Sequence, residues 1–396
     1  MRLFVTEKLS LQTALLHSDY TAPEQFSAFP VGIHHASTVL FPNVAALRAR
    51  NWKEKNGYTY GLHGTPTTFT LEARLAQIEG GRHCRIVPSG LAAISMVNLA
   101  LLKTGDDVLL PENVYGPNRD QVQWLERDFG ITARFYDPLI GSGIVDLIQD
   151  NTRLIWTEAP GSVSMEVSDV PAICSAARAR GVVVAMDNTW SAGLAFRAFE
   201  HGVDIVMQAL TKYQSGGSDI LMGAVITNDD ELNHKIELAH MRLGFGVGMD
   251  DVYLVLRSLP SMRLRFDAHD AAAREIAAWL QQRPEISKVL HPALPDCPGH
   301  DIWQRDFSGA GGLFSVIFDE RYNEQQIDAF VDRLALFKIG FSWGGAHSLC
   351  VPYRMQTMRQ SWPHCGGLVR FNIGLEAVAD LIGDISQSLD ALNNAV

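Results

Sequence analysis

Short runs of β-branched and aliphatic residues alternate with amphipathic stretches over the middle of the chain. The runs Arg85–Val87, Asp107–Leu110, Thr132–Tyr136, Leu154–Thr157, Val182–Met186, Ile205–Gln208 and Ile220–Ile226, bounded by turn residues, predict strands. Between them lie helical patterns. Thr70 precedes Leu71, Leu75 and Ile78 and is followed by the Gly80-Gly81 stop, and Leu91–Leu102 and Val170–Arg180 carry similar spacing. Such alternation predicts an α/β fold, a mainly parallel seven-stranded sheet flanked by helices on both faces.

The rhythm changes on either side. Before residue 65 the periodicity is weak and ends in Gly57-Tyr58-Thr59-Tyr60-Gly61, which reads as an extended arm. Helical patterns follow over Glu231–Met241 and Asp251–Gln281, the second interrupted near Pro260. Beyond Pro284, strands at Lys288–Leu290, Gly312–Phe318 and Val369–Ile373 and helices around Asn323–Leu336 and Leu375–Asn393 suggest a smaller α+β unit. The expected organisation is an arm over residues 1–65, a large domain over 66–255 and a C-terminal α+β domain over 256–396.

Composition narrows the function classes. With 396 residues, 47% hydrophobic and 19% charged, the chain can bury a large core, as a soluble globular protein does. A net charge of -11 without a basic run gives no reason to expect nucleic acid or an anionic membrane as partner. No apolar stretch approaches a membrane span, and residues 1–10 lack the features of a secretory leader. Five scattered cysteines, at 84, 174, 297, 350 and 365, with no C-x-x-C pair, argue against a disulfide framework or a zinc site. No metal is expected, and the expected location is the cytoplasm.

Ligands of open parallel sheets bind beyond the carboxyl ends of the strands, so polar residues there carry most weight. Val87 leads into Pro88-Ser89-Gly90 and a helix whose free N–H groups suit a phosphate; an ordinary turn with Ser89 as N-cap is the competing reading. Asp187 ends the apolar strand Val182–Met186 and could hold a protonated ring nitrogen of a cofactor, or simply cap a loop. Lys212 follows the strand through Val206 and Met207, where partial desolvation would lower its pKa and free its amine for imine formation, with the Thr211 hydroxyl beside it. Tyr115 follows Asp107–Leu110 and could stack on a flat ring, or be a half-buried turn aromatic. Arg370 lies in an apolar strand and needs an anion, either a substrate carboxylate or a structural Asp or Glu.

In this order, Ser89-Gly90, Tyr115, Asp187-Asn188, Thr211-Lys212 and Arg370 resemble the Cys/Met-metabolism enzymes that use pyridoxal phosphate (PLP) on the aspartate aminotransferase fold. Further likeness lies in Asp137 to Gly141, Pro160 to Val167, Asp187 to Trp190, His291 to Pro295, Ser342-Trp343-Gly344-Gly345 and Ile373 to Glu376, so the match spans nearly the whole chain. The resemblance implies that Lys212 forms the Schiff base, Asp187 holds the pyridine nitrogen, Tyr115 stacks on the ring, and Ser89, Gly90, Leu91 and Thr211 hold the phosphate. It assigns Arg370, helped by Ser342, to the substrate carboxylate. It also implies that Tyr60 reaches the cofactor of a neighbouring subunit, giving active-site-sharing dimers that pair into a homotetramer. One departure stands out: the family's Tyr-Gly-Arg is here Tyr60-Gly61-Leu62-His63, and His63 is a candidate replacement for the missing arginine.

The cofactor alone does not fix the reaction. Phe341 before Ser342, with bulky Trp343 after it, forms an aromatic wall that disfavours the extended poses of γ-chemistry and resembles the branch that breaks a carbon–sulfur bond at Cβ. L-cystathionine is the substrate this implies, in methionine biosynthesis. Cystathionine γ-lyase, methionine γ-lyase and cysteine desulfhydrase are the alternatives within the family, and a non-catalytic PLP-binding regulator is the alternative outside it.

Overall fold

The computed structural model describes residues 10–16, 25, 26, 28–52, 55, 57–359 and 361–393. The reading of residues 1–10 as lacking a leader therefore falls almost wholly outside the described residues. The part of the arm that is described contains two short helices, Leu11–Ala14 and Val44–Ala49, and is tied back on itself by a bridge between Thr38 and Tyr60.

The central sheet has seven strands: β1 (His83–Val87), β2 (Asp107–Pro111), β3 (Thr132–Tyr136), β4 (Thr152–Glu158), β5 (Val183–Asp187), β6 (Ile205–Ala209) and β7 (Gly223–Thr227). Their order is β1-β7-β6-β5-β4-β2-β3. Only β7 runs antiparallel to its neighbours, so the expected mainly parallel α/β sheet is present. β1 lies at one edge and β2 near the other. The carboxyl ends of β1, β2, β4, β5 and β6 share one rim, with a reversal of strand order beside it, which is where doubly wound sheets bind ligands.

Both faces of the sheet are covered, which explains why β2 and β7 are buried at every position. Helix Pro66–Glu79 begins earlier than the sequence pattern indicates because Thr65, just ahead of Pro66, forms a capping box with Thr68 in the first turn. The long helical stretch is divided as expected near Pro260 into Met249–Ser258, a 3-10 turn over Leu259–Ser261 and Met262–Leu280.

A second sheet of order β10-β11-β12-β9-β8 comprises β8 (Ile286–Leu290), β9 (Leu313–Phe318), β10 (Lys338–Ile339), β11 (Leu349–Tyr353) and β12 (Leu368–Asn372). It is mostly antiparallel. Phe314, Phe330, Phe337 and Phe371 are buried in its own core, each worth about 1.5–3 kcal/mol of apolar transfer. β10 and β11 are strands that the sequence pattern does not reveal. Among the described residues no helix is long and apolar enough to cross a membrane, and no group of three or more His, Cys, Asp or Glu could hold a metal.

Candidate active site

A cavity of about 980 Å³ opens at the carboxyl rim of the central sheet and is closed on its far side by β11, β12 and the Phe341–Trp343 segment. It is lined by Ser89, Gly90, Leu91, Tyr115, Asp187, Thr211, Lys212, Phe341, Ser342, Trp343 and Arg370. The structure thus brings together in one protomer every site residue singled out from the sequence except Tyr60 and the candidate replacement His63.

At one end, Ser89 caps helix Gly90–Leu101 by accepting the Ala92 N–H. The N–H groups of Gly90 and Leu91 belong to the first helical turn, whose donors have no intrahelical acceptor. The two readings of Ser89 are therefore compatible: it caps the helix, and the helix points its positive end into the cavity. A Cβ on Gly90 would lie 2.7 Å from that of Ala209, and one on Gly223 would lie 2.3 Å from the Ser89 carbonyl oxygen. The backbone of this cup is packed as closely as glycine permits. The Thr211 hydroxyl closes it and is braced by the Met222 backbone N–H at 3.3 Å.

Lys212 follows β6, and its amine donates to the Ser342 hydroxyl oxygen at 2.7 Å and lies 5.2 Å from the Trp343 ring centroid. Burial, reinforced by the nearby Arg370 charge and opposed by Asp187, lowers its pKa to about 8. A lysine so placed carries a usable fraction of neutral amine. The Ser342 segment approaches it because Gly344 (φ +76) packs on the Lys212–Tyr213 backbone, where a Cβ would stand 3.0 Å from the Tyr213 nitrogen. The Gly344 N–H is also held by Asn372 Oδ1 at 3.0 Å.

Asp187 ends β5 and accepts the Thr189 N–H at 3.0 Å. Burial holds its carboxyl above the ordinary value against the pull of Thr189 and Lys212. Glu158, its register partner at the end of β4, is pushed well above the ordinary range by burial and by the Asp187 charge. Glu158 accepts the Tyr115 N–H at 2.8 Å and so fixes the turn that presents the Tyr115 ring. Glu158 is absent from the residues singled out earlier, although the rule that selects Asp187, a carboxylate at a strand's carboxyl end, selects it equally.

Arg370 lies in the fully buried strand β12. It donates to the Ser162 carbonyl oxygen at 3.0 Å and sits 5.1 Å from the Tyr353 ring centroid. Burial lowers its pKa, partly countered by Tyr353, Tyr115 and Glu158. Among the described residues no carboxylate comes within ion-pair distance of it, and Glu158 acts on it only from farther off.

Tyr60 stands apart. Together with Leu62 and His63 it lines a separate cavity of about 380 Å³ against Glu72 and His240. His63 bonds Thr59 at 2.8 Å and stacks on Trp52. Within one protomer neither residue reaches the Lys212 cavity.

The donor set fits PLP: a glycine-lined helix terminus for a phosphate, an amine of lowered pKa and a carboxylate for a ring nitrogen. Cystathionine beta-lyase of Bordetella avium is 40% identical over 363 residues, 90% of each chain. Cystathionine beta-lyase of Escherichia coli K12 is 36% identical over 383 residues, 95% of this chain and 97% of its own. The crystal structure of cystathionine gamma synthase from Xanthomonas oryzae pv. oryzae superposes with a TM-score of 0.89 at 26% identity, covering 98% of this chain and 100% of its own. Residues 12–390 match the profile described as Cys/Met metabolism PLP-dependent enzyme; the chain belongs to that family, and PLP is its cofactor.

Proposed function

We propose that this enzyme is a carbon–sulfur β-lyase that cleaves L-cystathionine to homocysteine, pyruvate and ammonia. The observation that carries the reading is the buried, unpaired Arg370 facing the same cavity as the Lys212 amine. It offers a fork-shaped cation for an α-carboxylate in the same cavity as a base suited to the α-proton.

In this reading Lys212 would anchor PLP covalently, Asp187 would hold its ring nitrogen, Tyr115 would lie against its ring, and Ser89, Gly90, Leu91 and Thr211 would hold its phosphate. When bound, PLP supplies an electron sink for the pair left by the broken Cα–H bond. Arg370 and Ser342 fix the substrate's carboxylate, and the freed amine of Lys212 takes the proton from Cα. The Cβ–S bond then breaks, and Lys212 or Tyr60 of the partner subunit returns a proton to sulfur. Water releases the three-carbon remainder as pyruvate and ammonia.

Phe341, 78% exposed, and Trp343 form the wall that supports elimination at Cβ over Cγ. Similarity to a γ-synthase keeps γ-chemistry as the second reading. Incubation with L-cystathionine and identification of the keto acid decides between them: pyruvate is expected, and 2-oxobutyrate as the main product would replace this reading with γ-elimination.

The arm over 1–65 is read as serving the adjacent subunit of a dimer, and dimers as pairing into a tetramer in the cytoplasm, with domains over 66–255 and 256–396. Large apolar side chains exposed on the arm, Phe29 at 97% and Leu40 at 88%, support an occluding partner. Sedimentation of the holoenzyme tests the assembly.

A further inference from the structure

Glu79 is the last residue of helix Pro66–Glu79 and is only 2% exposed. A carboxylate at that place is disfavoured twice, by loss of water and by the negative end of the helix dipole. Burial accordingly raises its pKa to about 7. A residue held at such cost needs compensating partners, and these come from the carboxyl ends of β5 and β6.

Asn188, next to Asp187, donates through Nδ2 to Glu79 Oε2 at 3.0 Å. Gln208, four residues before Lys212, donates through Nε2 to Glu79 Oε1 and also to the Asn188 carbonyl oxygen at 3.0 Å. Gln214, two residues after Lys212, donates to Gln208 Oε1 at 2.9 Å. Ser191 donates to Asn188 Oδ1. Asn188, Gln208 and Gln214 are each 1% exposed, so water does not compete for these bonds. Gly193 (φ +70) makes room for the carboxyl, since a Cβ there would lie 2.8 Å from Glu79 Oε1. The other charged or titratable groups facing Glu79 are Arg197, which lowers its pKa, and the Cys84 thiol on β1.

We propose that Glu79 is a positioning residue: its carboxyl ties Asn188, just past the Asp187 end of β5, to Gln208 at the end of β6, from which the Lys212 turn departs, and so sets the separation between the ring-nitrogen partner and the covalent anchor. Glu79 touches neither cofactor nor substrate and acts through Asn188 and Gln208. This rests on the reading of Asp187 and Lys212 given above. Two acceptor oxygens facing two amide donors are the feature that only a carboxyl supplies. Glutamine at 79 keeps one acceptor and turns an NH2 group toward another NH2.

The test uses the holoenzyme. Glu79→Gln is expected to change the circular dichroism of the visible cofactor band, to weaken PLP rebinding by about 10-fold, the scale of one lost buried hydrogen bond, and to lower kcat with KM little changed. Exchanging the two groups in Glu79→Gln/Gln208→Glu restores a donor-to-carboxylate pair and is expected to bring the band back toward wild type. Glu79→Asp, with the charge drawn back one carbon, gives an intermediate band and serves if Glu79→Gln accumulates unfolded. A lower thermal midpoint in Glu79→Gln or Glu79→Asp with band, PLP affinity and kcat all at wild-type values overturns the inference and leaves Glu79 a stabilising residue only. Lys212→Ala measured alongside separates the two claims: a retained visible band there overturns the site assignment itself, whereas its loss with an unaffected Glu79 variant overturns only the positioning role.

Discussion

The amine of Lys212, in the turn after β6 of the large sheet, lies 2.7 Å from the hydroxyl oxygen of Ser342, in the connection between β10 and β11 of the second sheet. Ser342 holds a backbone φ of +101, outside the regions that side chains ordinarily adopt, and such strain collects at functional sites. The contact joins the proposed base to the group proposed to help bind the substrate carboxylate.

Removing that hydroxyl isolates its role. Ser342→Ala is expected to retain the visible cofactor band while kcat/KM for cystathionine falls by about 10-fold, the scale of a single hydrogen bond to a charged group. Unaltered kcat/KM would show that the contact is incidental.

Arg370 makes a sharper case. Lysine cannot reproduce the planar fork, so Arg370→Lys is expected to raise KM and lower kcat/KM by about 100-fold, corresponding to loss of a charge-assisted pair of about 3 kcal/mol. The spectrum of bound cofactor should stay as in the wild type. Steady-state kinetics with the spectrum recorded on the same sample checks both halves, and a variant with normal KM contradicts the carboxylate assignment.

Lys212 also leaves a signature in cofactor-free protein. Its folded pKa of about 8 lies below the ordinary lysine value of 10.5, so between these values the unfolded chain binds the extra proton. The cost of burying the charged amine is fully present below about pH 8 and is lost as pH rises toward 10.5. Lys212→Met, which removes the charge and keeps most of the side chain's bulk, is therefore expected to be more stable than wild type at neutral pH, with the difference shrinking through that window. Urea melts at several pH values measure it; a constant difference would refute the depressed pKa.

Away from the chemistry, Arg359 follows the short helix Met355–Met358 and is clamped by Glu166 and Glu112 of the large sheet's loops. Ser164 and Asn113 bond the same Glu166. Arg359→Ala strands a buried carboxylate and is expected to lower unfolding free energy by about 3–5 kcal/mol. A shift in the urea midpoint equivalent to less than about 1 kcal/mol would mean that the two acids find other partners.

The central sheet is legible because its inner strands, such as β2 and β7, are buried on both faces, so the pattern survives without any alternation to interpret. β3 coincides with its expected bounds, Thr132–Tyr136, and β6 extends one residue past Gln208. β10 and β11 were hidden for a physical reason: β10 has two exposed residues, and Pro352 within β11 reads as a strand breaker. Tyr353, which lies beside Arg370, was lost with that strand. Residues at strand ends were found because position in an open sheet carries information in itself. Glu79 had no such marker; its role depends on Asn188 and Gln208, more than a hundred residues downstream, and only the folded chain makes them neighbours.

Phe341 and Ser342 are adjacent, yet their freedoms differ. Ser342 is confined by an unusual backbone angle and by the Gly344 packing behind it, whereas Phe341 projects with most of its surface uncovered. On the proposed reading, the residue beside the base and the residue that walls the leaving thiol are joined by a single peptide bond, and substitution at 341 is expected to change which thiol is released while leaving Ser342 in place.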